Sequence, residues 1–142
     1  MSDTVNILAA KSEIADLVHT YALNIRRGAP QLCDALFTHD ATFEVRECDP
    51  VDQTANRQRY IKIGRDDVVA SIGSSGSAVR VFPQIHNLII AVDGDQANAT
   101  SLMIGKRLPG GGETLGDYQD TFRREGGKWL FSARIYTIYA SS

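Results

Sequence analysis

Tyr118, Asp120 and Phe122 occupy alternate positions, so a strand through them sets all three on one face. A carboxylate held between two aromatic rings and withdrawn from water ionises less readily, which suits a general acid or base. The same Asp120 falls opposite Arg134 if Glu125-Gly126-Gly127 turns the chain into a hairpin, and the two then form a structural ion pair. Both roles stay open. Tyr21 lies on the apolar side of a helical pattern, where its phenol can serve a carbonyl or leaving oxygen or simply fill the core. Arg26, farther along the same pattern, could bind a carboxylate or steady an enolate-like oxygen. It also suits the negative end of the helix. His86 is the one histidine in a strand-like stretch, while His19 falls on the polar side of the first helix.

These side chains need elements to position them. Ile14, Leu17, Val18, Tyr21, Ala22 and Ile25 recur at helical steps, and Gly28 stops the pattern. Pro30 opens a short second helix carrying Leu32, Leu36 and Phe37. His39 and Asp40 fall in a turn before a strand over Thr42 to Cys48. Asp49 to Arg59 reads as a loop and Tyr60 to Ile63 as a short strand. A third helix spans Arg65 to Ile72 and dissolves into the Gly-Ser run at residues 73–77. Val79 to Val92 and Ala97 to Leu108 form strands around Asp93-Gly94-Asp95. Thr114 to Arg124 and Lys128 to Tyr139 form the last pair. Helices at the front and long strands behind make a single α+β domain over residues 1–142, with the helices on one face of a curved, mostly antiparallel sheet. A pocket opens between the layers where side chains do not fill them.

The run Ile14-Ala-Asp-Leu-Val-His-Thr-Tyr21-Ala, followed by Ala35-Leu-Phe-Thr-His-Asp40-Ala41-Thr-Phe43, resembles the opening of SnoaL-like proteins of the nuclear-transport-factor-2-like superfamily. Gly64-Arg65-Asp66, His86-Asn87 with the apolar run to Asp93-Gly-Asp95, Gly116-Asp-Tyr118-Gln-Asp120-Thr-Phe122, and Trp129-Leu-Phe-Ser-Ala-Arg134 continue the likeness. The resemblance implies a cone-shaped domain of cystatin-like architecture, often dimeric or larger through the outer face of the sheet. It also implies cofactor-free proton abstraction inside an apolar pocket, as in scytalone dehydratase, ketosteroid isomerase, polyketide cyclases and a dehydrochlorinase. Other members bind or assemble without catalysis.

Residue by residue, the resemblance makes Tyr21 a pocket phenol, Tyr118 and Asp120 pocket-facing, and Arg134 a pocket-lining cation. Asn87 matches an Asn whose amide serves a ligand or the neighbouring backbone. Two positions depart from the dehydratase-like pattern. Arg26 stands where those enzymes carry the Asp of a His–Asp dyad, and a guanidinium has no acceptor with which to orient an imidazole. Pro83 stands where they carry the His. Alternation gives residues 83 and 87 one face and His86 the other, unless Pro83 brings a bulge that turns His86 inward. The outer face is the expectation for His86.

Composition sets the outer limits. Fifteen Lys and Arg against seventeen Asp and Glu give a net charge of −2, which offers no basic excess for a nucleic-acid backbone. No apolar run reaches the ~20 residues of a membrane span, and Cys33 and Cys48 are too few for a disulfide framework or a thiolate zinc site. Scattered histidines supply no metal cluster, and Gly110-Gly111-Gly112 lacks the strand-to-helix setting of a phosphate loop. The expectation is a cytoplasmic, cofactor-independent lyase or isomerase acting on a small hydrophobic molecule. Tyr21 and Asp120 carry the proton chemistry, and Arg26 or Arg134 anchors an anionic group. Phe37, Phe43, Met103, Tyr118 and Phe122 supply the walls, with Asn87 as a further ligand contact. The alternative is a SnoaL-like binding or assembly module that has lost the dyad.

Overall fold

The computed structural model describes residues 3–72 and 79–142. Helix α1 (Asp3–Arg26) is followed by a short 3₁₀ helix (Pro30–Leu36), strands β1 (Phe37–Cys48) and β2 (Asn56–Ile63), and helix α2 (Arg65–Ile72). Strands β3 (Arg80–Asp93), β4 (Gln96–Leu108), β5 (Glu113–Glu125) and β6 (Lys128–Ser141) complete the chain. The six strands form one sheet in the order β2-β1-β6-β5-β4-β3, antiparallel throughout except where β1 runs parallel to β6.

Helix α1 buries Ala10, Ile14, Leu17, Val18 and Tyr21 on a single stripe, with polar residues between them. It ends because Gly28 adopts a left-handed φ of +69°. The Gly28 amide then donates to Ile25 O and the Ala29 amide to Asn24 O, a Schellman closure that satisfies two terminal carbonyls. Pro30 follows at the first position of the 3₁₀ helix, where no amide hydrogen is needed.

Several boundaries differ from expectation. α1 begins at Asp3, well before the apolar stripe does. Phe37 belongs to β1 and not to the short helix, whose Leu32 is exposed. His39 and Asp40 lie in the irregular start of β1, where the pairing with β6 skips from Phe37 to Thr42. Asp40 there receives Arg123. Residues 56–59 are strand and not loop, because they pair with β1 through Cys48, Glu47 and Arg46. Polar side chains concealed this edge strand, which is exposed along its whole length. The Gly-Ser run at 73–77 lies outside the described residues.

A bulge in β6 brings two side chains to the inner face that regular alternation would separate. Phe122 pairs with Phe131 while Thr121 pairs with Ala133, so Ser132 is skipped. Phe131 and Arg134, three residues apart, are therefore both fully buried on the inner face.

Candidate active site

The inner face of β5 carries Tyr118, Asp120 and Phe122, all buried, in the alternation expected. Asp120 sits directly opposite Arg134 in the β5–β6 register. Arg134 Nε lies 2.9 Å from Asp120 Oδ1, and both side chains are wholly withdrawn from solvent. Arg134 Nη2 donates to Oδ2 at 3.4 Å. The Nε hydrogen is not aimed along the short contact, and Nη1 has no hydrogen-bond partner among the described residues. This is an ion pair held by proximity more than by fork geometry.

Rings enclose the guanidinium. Arg134 Cζ stands 3.5 Å from the Tyr118 ring centroid, 4.3 Å from that of Tyr21 and 4.7 Å from that of Phe131. The negative faces of these rings take over part of the solvation that burial removed. Edge contacts tie Tyr21 to Tyr118, Phe37 and Phe131.

Burial dominates the electrostatics. It pushes the Asp120 carboxyl up to about 6, against the opposing pull of Arg134. It likewise raises the Tyr21 and Tyr118 phenols, while Arg134 works in the other direction on both. Both phenols are therefore neutral donors at physiological pH. Because the folded state holds the Asp120 proton more tightly than an unfolded chain does, this group's stabilising contribution is complete below about pH 4 and is lost as pH rises through about 6. Carboxyl-carbon NMR should place the Asp120 midpoint near 6. The stability of the wild type relative to Asp120→Asn should fall between those two pH values. A midpoint at or below about 4, the ordinary Asp range, would contradict the assignment.

Beyond the ring layer lies a cavity of about 200 Å³ between α1, α2 and the sheet. Its apolar walls come from Ile25 of α1, Ile72 of α2, Phe43 of β1, Val81 and Pro83 of β3 and Met103 of β4. Tyr21, Tyr60, Tyr118 and Tyr136 also line it, four of the five tyrosines in the chain. The fifth, Tyr139, donates to the Asp117 carboxylate. The other four phenol hydroxyls make no hydrogen bond to the described residues. Arg107, Thr114 and Ser71 complete the polar lining. Among the described residues, no group of three or more His, Cys, Asp or Glu is placed to hold a metal ion.

The structure thus gathers Tyr21, Phe43, Met103 and Tyr118 at the cavity, while other expected residues stand elsewhere. Asp120, Arg134 and Phe122 are buried near it but are not among its lining residues, and Phe37 packs against Phe131 in the core. Arg26 is exposed in the last turn of α1, where its charge complements the helix end. Pairing is regular from Pro83 to His86, so His86 is exposed on the opposite face from Pro83. The irregularity comes just after, where Asn87 takes a φ of +53° between His86 and Ile89. Asn87 is therefore exposed at a bulge and does not share the face of Pro83 as strict alternation required.

Residues 6–135 match the SnoaL-like domain family. The chain belongs to that family. Its architecture is the cystatin-like, nuclear-transport-factor-2-like fold. A protein of that description from Novosphingobium aromaticivorans superposes with a TM-score of 0.72 at 20% identity, covering 92% of this chain and 82% of that one. A candidate scytalone dehydratase from the same organism gives 0.74 at 23% identity, covering 100% and 91%. A type 2 hexachlorocyclohexane dehydrochlorinase gives 0.73 at 16% identity, covering 99% and 92%. The sequence matches no curated protein. No helix among the described residues is long and apolar enough to cross a membrane.

Within this SnoaL-like domain, Tyr60, Tyr136 and Arg107 are site residues that the sequence reading missed. Period-two counting would have found two of them. Met103, Gly105 and Arg107 alternate along β4, and Tyr136 follows Arg134 by two on β6. Tyr60 had no such signal, because β2 shows no burial alternation.

Proposed function

We propose that this SnoaL-like protein binds a small, largely apolar molecule bearing an oxygen acceptor. In this reading it acts as a cofactor-independent lyase or isomerase of the dehydratase type. The observation that carries the reading is the convergence on one cavity of four phenols with no hydrogen-bond partner among the described residues, and a guanidinium stacked behind two of them. A phenol that donates to a carbonyl or leaving oxygen favours the state in which negative charge has grown there. The Arg134 charge, 3.5 Å behind the Tyr118 ring, strengthens that preference, because both side chains are themselves buried from water. Asp120 acts on the reaction through Arg134, setting the net charge behind the rings. The likeness to a candidate dehydratase and a dehydrochlorinase supports eliminations or isomerisations as the reaction class. The cavity is smaller than the roughly 300–1,000 Å³ typical of drug-sized ligands, so the molecule is about one ring with a short substituent.

A second reading, binding without turnover, is favoured by one specific observation. Pro83 lines the cavity at the position where dehydratase-like members carry their His, and no carboxylate or imidazole is among the described lining residues. Acetophenone in D2O separates the two. Turnover, with solvent water taking the α-proton while a phenol donates to the carbonyl oxygen, predicts α-hydrogen exchange above the buffer rate, whereas saturable binding without exchange selects the second reading. In both, Tyr21→Phe and Tyr118→Phe should each weaken acetophenone binding by about 2- to 12-fold, the value of one neutral hydrogen bond, with the thermal midpoint retained. Unchanged affinity in both variants would remove the phenols from the site.

A further inference from the structure

Resting on the cavity reading above, the structure assigns Arg107 as the anchor for an anionic group, which makes the ligand class a small apolar carboxylic acid. Arg134 cannot contact such a group directly, because its guanidinium is sealed beneath Tyr21, Tyr118 and Phe131 and paired with Asp120. Arg26 is exposed and outside the lining. Arg107 is the single charged side chain among the described lining residues, so it is the one cation the wall offers to whatever enters.

The guanidinium is also held in place. Arg107 Nη1 donates to Thr114 Oγ1 at 2.6 Å, Nη2 donates to the Ser142 carbonyl oxygen, and Nε has no partner among the described residues. Its backbone is tied from both sides, with Arg107 N donating to Gly112 O and Gly111 N to Arg107 O, each at 2.8 Å. A Cβ on Gly112 would stand 2.7 Å from Nη2, so the turn packs against the side chain it supports. Such a guanidinium loses little freedom on binding and offers directional donors to a carboxylate. Arg107 and the Tyr136 phenol line the same cavity, and Arg107 pulls on that phenol against the rise that burial imposes there. Apolar walls at Phe43, Ile72 and Met103 would take the rest of the molecule.

The test compares 3-phenylpropanoate with its methyl ester by calorimetric titration at pH 7.5. Wild type should bind the acid at least about 10-fold more tightly than the ester, and Arg107→Gln should abolish that preference while saturable ester binding persists, which also reports an intact cavity. Arg107→Lys, which keeps the charge and the fold contacts in part, should retain a reduced preference. Ester binding with no acid preference in the wild type, or a preference that survives Arg107→Gln, overturns the assignment of Arg107 and leaves the cavity reading standing. Binding of neither compound overturns both.

Discussion

Arg134→Met is expected to lower the free energy of unfolding by about 3–5 kcal/mol at neutral pH, because it leaves the fully buried Asp120 carboxylate with no counter-ion. The loss should shrink on acidification. A carboxyl already pushed up to about 6 beside Arg134 will take up a proton still more readily without it, and the neutral form tolerates burial. Replacing both partners, Asp120→Leu with Arg134→Met, should recover most of the stability, since a buried pair adds little beyond apolar residues of similar volume. Urea unfolding followed by the fluorescence of the buried Trp129 measures all three chains. A single-variant loss below about 1 kcal/mol, of the size surface pairs show, would mean that the two groups are not ionised together in the folded state.

Phe131→Ala is expected to cost about 3–5 kcal/mol by a different route, the cavity left where an aromatic core side chain was. Phe131 is fully buried, with ring centroids 5.2 Å from Phe37, 5.0 Å from Phe122 and 6.0 Å from Tyr21. It also stands 4.7 Å from Arg134 Cζ, so its loss removes one wall of the aromatic enclosure. The consequence for function is that Tyr21 loses its support. Acetophenone affinity should fall together with stability in Phe131→Ala, whereas Phe131→Leu, which keeps most of the volume, should cost less in both. If affinity in Phe131→Ala stayed at the wild-type value, Tyr21 would not depend on the core behind it.

Much of this architecture was legible in the chain. The helical stripe through Ile14, Leu17, Val18 and Tyr21, the hairpin glycines and the alternation of Tyr118, Asp120 and Phe122 each report a local physical demand. Tyr21 and Tyr118 reached the cavity for the same reason. What the pattern hid were departures from regular pairing. The skipped Ser132 puts Phe131 and Arg134 on one face, and the left-handed Asn87 takes its own side chain out of the register that counting assigned. A polar edge strand such as β2 carries no alternation to read, so Tyr60 stayed invisible. The arginines show the limit most plainly. Of eleven in the sequence, Arg26 and Arg134 drew attention through their positions in the pattern, yet Arg26 is exposed outside the lining, Arg134 lies sealed behind it in the pair with Asp120, and Arg107 is the one that lines the cavity.

Both the proposed chemistry and the anion anchor depend on ligands entering the tyrosine-lined cavity. The chain contains two methionines, Met1 and Met103, and Met103 forms part of the cavity wall. Protein labelled with 13C at the methionine methyls, titrated with acetophenone, offers a reporter inside the site. The Met103 methyl resonance should move saturably, driven upfield or downfield by the bound aromatic ring. Saturable binding with an unmoved Met103 methyl would contradict ligand entry into this cavity.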